Sequence, residues 1–366
     1  MNILIVKLSA VGDVVHTLPS LAALRKLYPQ AHITWVIEAA AADLIKEHPH
    51  LDRVLVSQRK RWLKEIKKTP VKTVREVLGF IKALRDRRYD LAIDFHGLLK
   101  SSLIVWLAAA QRKLGYDSMQ ELSGLFLTEK IPEDMAKHAV DRYLDLVRYL
   151  GGQGAIIRPG GGDVPVPLAL EAPEGAAFMI PSGAAEEKRV AQLLEAHHLT
   201  PGRFVVVNPV ALWDTKLWEE EGFARLGERL VREYGLPVVF TGTGKKEIGR
   251  IQALMLTPSV NLAGETTLRE LACLYRQAAL LVSTDTGPMH IAAAVGTPVV
   301  ALFGPTDPCR TGPYGRGHRV VRREMPCSPC FRRQCPTREC LRELKVEEVW
   351  QAVEALLNAN GYEPDD

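Results

Sequence analysis

Residues 280–305, LLVSTDTGPMHIAAAVGTPVVALFGP, hold two short apolar runs with one helix-length of chain between them. Leu280 to Ser283 reads as a strand buried in a parallel sheet, where both faces are covered and no alternation with polar residues is required. Pro288 suits the first turn of a helix that His290 to Val295 continue and that Gly296 and Pro298 end. The second run, Pro298 to Phe303, follows at once. The result is a βαβ unit whose first loop, Thr284-Asp285-Thr286-Gly287, lies at the carboxyl end of a strand and at a helix N-terminus. Outward-pointing N–H groups with a helix dipole behind them favour an anion such as a diphosphate there. The local pattern fits an ordinary turn equally well, with Asp285 or Thr286 as cap and His290 in the core.

The same alternation runs through the chain. Asn2 to Val6, His32 to Ile37, Asp52 to Val56 and Asp90 to Ile93 read as strands, with helices ending near Tyr28 and spanning about 71–88 and 138–150. Residues 151–173 turn to Gly and Pro, the expected inter-domain region. A second alternation follows, with strands at 204–208, 237–241, 280–283 and 298–303 and helices at 218–234, 245–255, 268–277 and 346–358. The expected fold class is α/β, with two doubly wound domains facing a central cleft, the natural place for a substrate. Their expected bounds are 1–165 and 174–345, with 346–366 as a C-terminal helix and tail.

At 366 residues the chain is long enough for two cores, and 47% hydrophobic with 25% charged residues fits a soluble globular protein. Lys7 and Asp13 interrupt the apolar start before a signal-peptide or membrane-spanning length is reached, so a cytoplasmic protein is expected. The net charge of +4 is unevenly spread, since residues 59–88 hold twelve Lys/Arg against Glu65, Glu76 and Asp86. An acidic partner or a solvated helix face accounts for such a run. Cys327, Cys330, Cys335 and Cys340 are spaced C-x2-C-x4-C-x4-C, a pattern compatible with zinc or an iron–sulfur centre. The tight later loops and the absence of a histidine favour reduced thiols instead.

The loop after the first strand, KLSAVGDVVHTLP at 7–19, places Gly12 and then Asp13 at a strand's carboxyl end. Gly12 lets the backbone approach a ligand, and a carboxylate so placed can take a proton from an acceptor hydroxyl or merely cap a helix. No P-loop occurs and no G-x-G-x-x-G occupies this position, so ATPase and nicotinamide chemistry lose support.

Taken with DFHGLLKSS at 94–102, HAVDRY at 138–143, DTKLW at 214–218, NLAGETTLREL at 261–271 and STDTGPMH with its LFGPTDP sequel, this loop resembles glycosyltransferase family 9, the bacterial heptosyltransferases of the lipopolysaccharide inner core. The resemblance spans nearly the whole chain. It implies a GT-B fold of two Rossmann-like domains and an inverting, metal-independent transfer of heptose from ADP-heptose to a Kdo residue of Kdo-lipid A, with no cofactor. Asp13 would be the general base. Lys216 would offset charge on the donor phosphates, Thr286 and Gly287 would hold them by their amides, and Asp285 and His290 would contact sugar or phosphate. Glu247 and Thr266 would lie near ribose and adenine.

On the acceptor side the resemblance points to Gly12, Arg59, Lys60, Arg61 and Lys100, which would meet Kdo carboxylates and lipid A phosphates at the cytoplasmic face of the inner membrane. An arginine frequent in the family near 120–122 is replaced here by Gln-Glu-Leu. The first loop and DFHGLLKSS look closer to type I members, which add the first heptose to Kdo, than to type II members, which extend it. Another nucleotide-sugar transferase of the same fold, or a non-catalytic sugar-nucleotide or lipid-binding protein, are the competing expectations. Thr266 and Glu247 also have plain readings, as the cap of the helix at Leu268 and as an exposed helix residue.

Overall fold

The computed structural model describes residues 1–118, 120–152 and 178–364. They fall into two compact units, Met1–Pro181 and Ser182–Asp366. Most of the expected Gly/Pro linker, with the boundaries at 165 and 174, lies outside the described residues, as do the side chains of Gln120, Glu121 and Leu122.

The first unit is built on six strands: β1 (Asn2–Val6), β2 (His32–Glu38), β3 (Arg53–Ser57), β4 (Leu91–Asp94), β5 (Arg112–Tyr116) and β6 (Glu129–Ile131). They lie in the order β3-β2-β1-β4-β5-β6, and every pairing is parallel. Ile3, Leu4, Ile5 and Val6 are fully buried, as a central strand covered on both faces must be. One of the layers over this sheet packs Leu84, Tyr89, Ile104 and Val105 against Leu4 and Val6.

The second unit repeats the plan with β7 (Val205–Asn208), β8 (Val238–Phe240), β9 (Val260–Asn261), β10 (Leu280–Thr284), β11 (Val299–Phe303) and β12 (Arg319–Arg322). Their order, β12-β11-β10-β7-β8-β9, is again all parallel. Counted from its own first strand, it is the first unit's order read from the other edge. The chain therefore carries a structural duplication that has no sequence repeat behind it. The last helix, Val346–Ala359, belongs to this unit's core, where Trp350 packs 5.9 Å from Tyr234 and under Arg229.

In a sheet of this order the chain reverses direction between the first and fourth strands, and the loops leaving those two strands diverge. The crevice falls outside the carboxyl ends of β1 and β4 in the first unit, where Val6 pairs with Asp94, and of β7 and β10 in the second, where Asn208 pairs with Ser283. Among the described residues no helix is long and apolar enough to cross a membrane.

Candidate active site

At the β1/β4 crevice, β1 runs into Lys7 and then the helix Val11–Leu27, whose first turn carries Asp13. Asp13 Oδ2 accepts from the Ala10 N–H at 3.0 Å, so the carboxylate tethers the start of its own helix. Its other oxygen, Oδ1, accepts from the Tyr143 hydroxyl at 3.3 Å. Tyr143 comes from the helix Ala139–Leu150 and is itself bound by Lys7, whose Nζ donates to Tyr143 Oη at 2.6 Å and to the Phe95 carbonyl at 2.8 Å. Lys7 is 3% exposed and lies 4.3 Å from the centre of the Tyr143 ring. Burial lowers the lysine's pKa, and the carboxylates of Asp13 and Asp94 pull it back up.

Asp94 ends β4 and organises the opposite loop. Its carboxylate accepts from the His96 and Gly97 N–H groups at 2.9 and 3.0 Å and from the Ser101 and Ser102 hydroxyls at 3.0 and 3.1 Å. Gly97 adopts φ +69°, a conformation that costs an L side chain, which explains a glycine at that point. His96 is held neutral, its pKa pushed down to about 3 by burial and by Lys7 and Lys100, with Asp13 acting against them. The Asp–Phe–His–Gly segment thus presents an uncharged imidazole close to Asp13.

Three of the cations expected on the acceptor side are held in ion pairs within their own unit. Arg59 and Lys60 meet the buried Glu38 at 3.1 and 3.2 Å, while Arg61 pairs with Glu76 at 2.6 Å beside the Trp62 indole N–H. Glu38 ends β2, so the pair of cations is anchored to the sheet rather than free in solvent. Lys100 stands in the first turn of the helix Leu99–Leu107, and Gly12 is buried in the helix that carries Asp13.

At the β7/β10 crevice, Asp285 leaves β10 and Thr286 starts the helix Gly287–Ala294 with extended backbone. No side chain caps that terminus. Asp285 is buried, bound by Thr306 Oγ1 at 2.6 Å and by Lys216 Nζ at 2.6 Å. Lys216 reaches it from the single turn Asp214–Lys216 and lies 4.7 Å from the Trp213 ring centre. Of the plain-turn reading, the structure keeps His290 buried in the helix, while Asp285 is not the cap and Thr286 holds the cap position without a side-chain cap bond. Gly242, at the end of β8, takes φ +128°, and a Cβ there would stand 2.4 Å from Val210 and 2.8 Å from Asn208 Oδ1. Only glycine lets β8 pass so close to the loop leaving β7.

Glu247 is exposed on the first turn of the helix Lys245–Ala253 and lines a groove of about 580 Å³ with Val210, Asp214, Thr243 and Gly244. Thr266 is not a cap. That role belongs to Thr267, which accepts from Glu270 N at 3.2 Å while Glu270 bonds back to the Thr267 N–H at 2.8 Å.

The cysteines remain free thiols, and among the described residues no three His, Cys, Asp or Glu side chains are gathered to hold a metal ion. Their segment has a different role. Thr215 Oγ1 donates to the Arg332 carbonyl at 2.9 Å, Arg338 donates to the Asp214 carbonyl at 3.1 Å, and Arg333 lies 4.9 Å from the Trp213 ring. The loop thereby braces the turn that carries Lys216.

Tyr143, Asp94, His96, Trp213 and Thr306 take part in these centres, although the sequence alone attaches no role to any of them. Each sits inside a motif that the sequence singles out or, for Trp213, directly before one, so the signal lay in the motif rather than in the residue type.

Residues 77–341 match the model of glycosyltransferase family 9 (heptosyltransferase). Lipopolysaccharide heptosyltransferase 1 of Pseudomonas aeruginosa is 31% identical, over 98% of this chain and 99% of that protein. The Escherichia coli heptosyltransferase WaaC, solved with ADP-2-deoxy-2-fluoro heptose, superposes with a TM-score of 0.70 at 27% identity over 97% of this chain and 99% of that one. A family 9 glycosyl transferase from Veillonella parvula, at 24% identity and a TM-score of 0.80 over 98% and 97%, shares the fold. Two duplicated parallel sheets with a charged centre at each crevice, together with these matches, establish that the chain belongs to glycosyltransferase family 9, the heptosyltransferases.

Proposed function

We propose that this enzyme transfers L-glycero-β-D-manno-heptose from its ADP derivative to a Kdo residue of Kdo-lipid A with inversion at the sugar carbon, as a type I heptosyltransferase. The observation that carries the reading is the Lys216–Asp285 pair beside an uncapped helix N-terminus at the β7/β10 crevice. A diphosphate needs a fixed cation and backbone donors, and this corner supplies both. Lys216 then faces the phosphates, the Thr286 and Gly287 amides hold them, and Asp285 fixes the lysine while meeting the sugar with His290. Glu247 and Thr266 bind the nucleoside.

In the reaction Asp13 takes the proton of the acceptor hydroxyl and the freed oxygen bonds to the anomeric carbon. The bond from that carbon to the β-phosphate oxygen breaks, and ADP carries away the negative charge. Fixed dipoles and Lys216 stabilise the charge as it grows, and no metal ion takes part. Arg59, Lys60, Arg61 and Lys100 receive the acceptor's carboxylates and phosphates.

The work is placed at the cytoplasmic face of the inner membrane, and the helix Pro70–Leu84 supports that placement. Val71 and Leu78 are 74% and 60% exposed beside Lys72 and Arg75, a pattern suited to an anionic lipid surface.

Release of the nucleoside diphosphate with defined Kdo-lipid acceptors, comparing ADP-heptose with UDP- and GDP-sugars, tests the reading. Release with ADP-heptose and a Kdo acceptor alone is expected. Preference for another nucleotide sugar, for an already heptosylated acceptor, or binding without turnover would each replace it.

A further inference from the structure

The Asp13 carboxylate belongs to a three-membered chain that starts in the protein interior. Lys7 Nζ donates to Tyr143 Oη at 2.6 Å, and Tyr143 Oη stands 3.3 Å from Asp13 Oδ1. A phenol has one proton. Because Lys7 occupies a lone pair of the oxygen, that proton is directed at the carboxylate. Lys7 is fixed in turn by the Phe95 carbonyl at 2.8 Å, so the direction of the phenol is set by the ends of β1 and β4. Tyr143 is held by edge-to-face packing on Phe95 at 5.9 Å.

We propose that Tyr143, backed by Lys7, is a positioning residue for the transfer reaction: it orients the Asp13 carboxylate and holds it ionised toward the acceptor hydroxyl. The inference rests on the reading of Asp13 as the base. Two bonds leave the carboxylate little freedom, since the Ala10 N–H takes Oδ2 and the phenol takes Oδ1. A hydrogen bond donated to the charged form of an acid favours that form. Burial, followed by the Asp13 charge, raises the phenol's own pKa well above normal, so Tyr143 remains a donor throughout the working range. The other charged and titratable groups acting on this chain are Arg142, Glu133 and Tyr116, Asp94 on Lys7, and His96 with Lys100 on the β4 side.

The test is a double-mutant cycle on the full-length enzyme with Tyr143→Phe, Asp13→Asn and the pair, read as kcat, donor KM and the pH profile of kcat/KM. Tyr143→Phe keeps the ring and loses only the hydroxyl. Expected are a fall in kcat on the order of tenfold, a donor KM within about twofold of the parent, and an acid limb displaced to higher pH. In the Asp13→Asn background the second change should cost nothing further. An acid limb that stays in place, or losses that multiply in the double variant, would overturn the role of Tyr143. Full turnover by Asp13→Asn alone would instead remove Asp13 as the base, a separate failure visible in its own arm. Equal thermal midpoints for Tyr143→Phe and the parent exclude misfolding, and if Tyr143→Phe is unstable, Lys7→Met, which removes the donor to Tyr143, gives the same direction of shift in the acid limb through the second link.

Discussion

Lys216 Nζ stands 2.6 Å from Asp285 Oδ2, and their side chains are only 16% and 6% exposed. Removing either partner would leave the other's charge stranded away from water. The pair is therefore both a structural joint between the Asp214–Lys216 turn and the β10 loop and a cation held at the entrance to a helix dipole. Thr306 adds a hydrogen bond that keeps Asp285 aimed at the lysine.

Replacing Lys216 separates these two roles. Lys216→Met should weaken ADP-heptose binding by tenfold or more, the scale of one charge-assisted contact, and also lower stability by roughly 1–3 kcal/mol through the stranded carboxylate. Adding Asp285→Asn should restore the stability and leave the affinity low. Titration calorimetry and thermal unfolding report the two quantities independently, and donor affinity equal to the parent's would show that Lys216 does not touch the phosphates.

Asp13→Asn keeps the side chain's size and its acceptor for the Ala10 N–H but loses the basic oxygen. Donor affinity should be unchanged while turnover drops by a factor on the order of 10²–10⁴, the usual weight of a positioned base. Turnover within threefold of the parent would end the base assignment.

The cysteine segment braces the Lys216 turn, with Thr215 on the Arg332 carbonyl and Arg338 on the Asp214 carbonyl. On the metal-independent transfer proposed above, treatment with EDTA should leave activity intact. Thr215→Val should raise the donor KM several-fold with little change in kcat, since it loosens the turn without touching the acceptor side. Loss of transfer on chelation, reversed by one added metal ion, would return a metal to the mechanism.

How far the chain could be read in advance depended on where each element sits in its sheet. The central strands β1, β2, β4, β7, β10 and β11 are covered on both faces, so their apolar runs were visible in the sequence. The strands read only from structure are β5 (RKLGY), β6 (EKI), β9 (VN) and β12 (RVVR). Three of them, β6, β9 and β12, are outermost in their sheets, where one flank has no partner strand, and the fourth, β5, is paired on both flanks but starts with the exposed Arg112 and carries Lys113 and Gly115. At the candidate site, the placing of Asp13 and the 284–287 loop just past strand ends was legible because strand–helix loops obey a positional rule. Tyr143 was not, since it reaches Asp13 across 130 residues from the middle of an amphipathic helix. The cysteine spacing left a metal open while the tight loops favoured free thiols, and among the described residues no three His, Cys, Asp or Glu side chains are gathered to hold an ion.

Acidification gives the last prediction. His48 is buried, its Nε2 facing the Met179 carbonyl at 3.1 Å and its Nδ1 accepting from the His50 N–H at 3.1 Å, an arrangement that requires the neutral ring. Burial, with a contribution from His50, pushes its pKa down to about 4. The unfolded chain binds this proton near pH 6.5, so between about 6.5 and 4 the unfolded state holds more protons and stability falls as pH falls. This one group should cost roughly 2 kcal/mol between pH 7 and pH 5. His50 and His32 are shifted in the same direction by burial and will steepen the slope. His48→Gln can still donate to Met179 but takes up no proton, and should flatten the pH dependence of the urea midpoint across that window. Parallel slopes for parent and variant would mean that His48 is not held neutral in the folded protein.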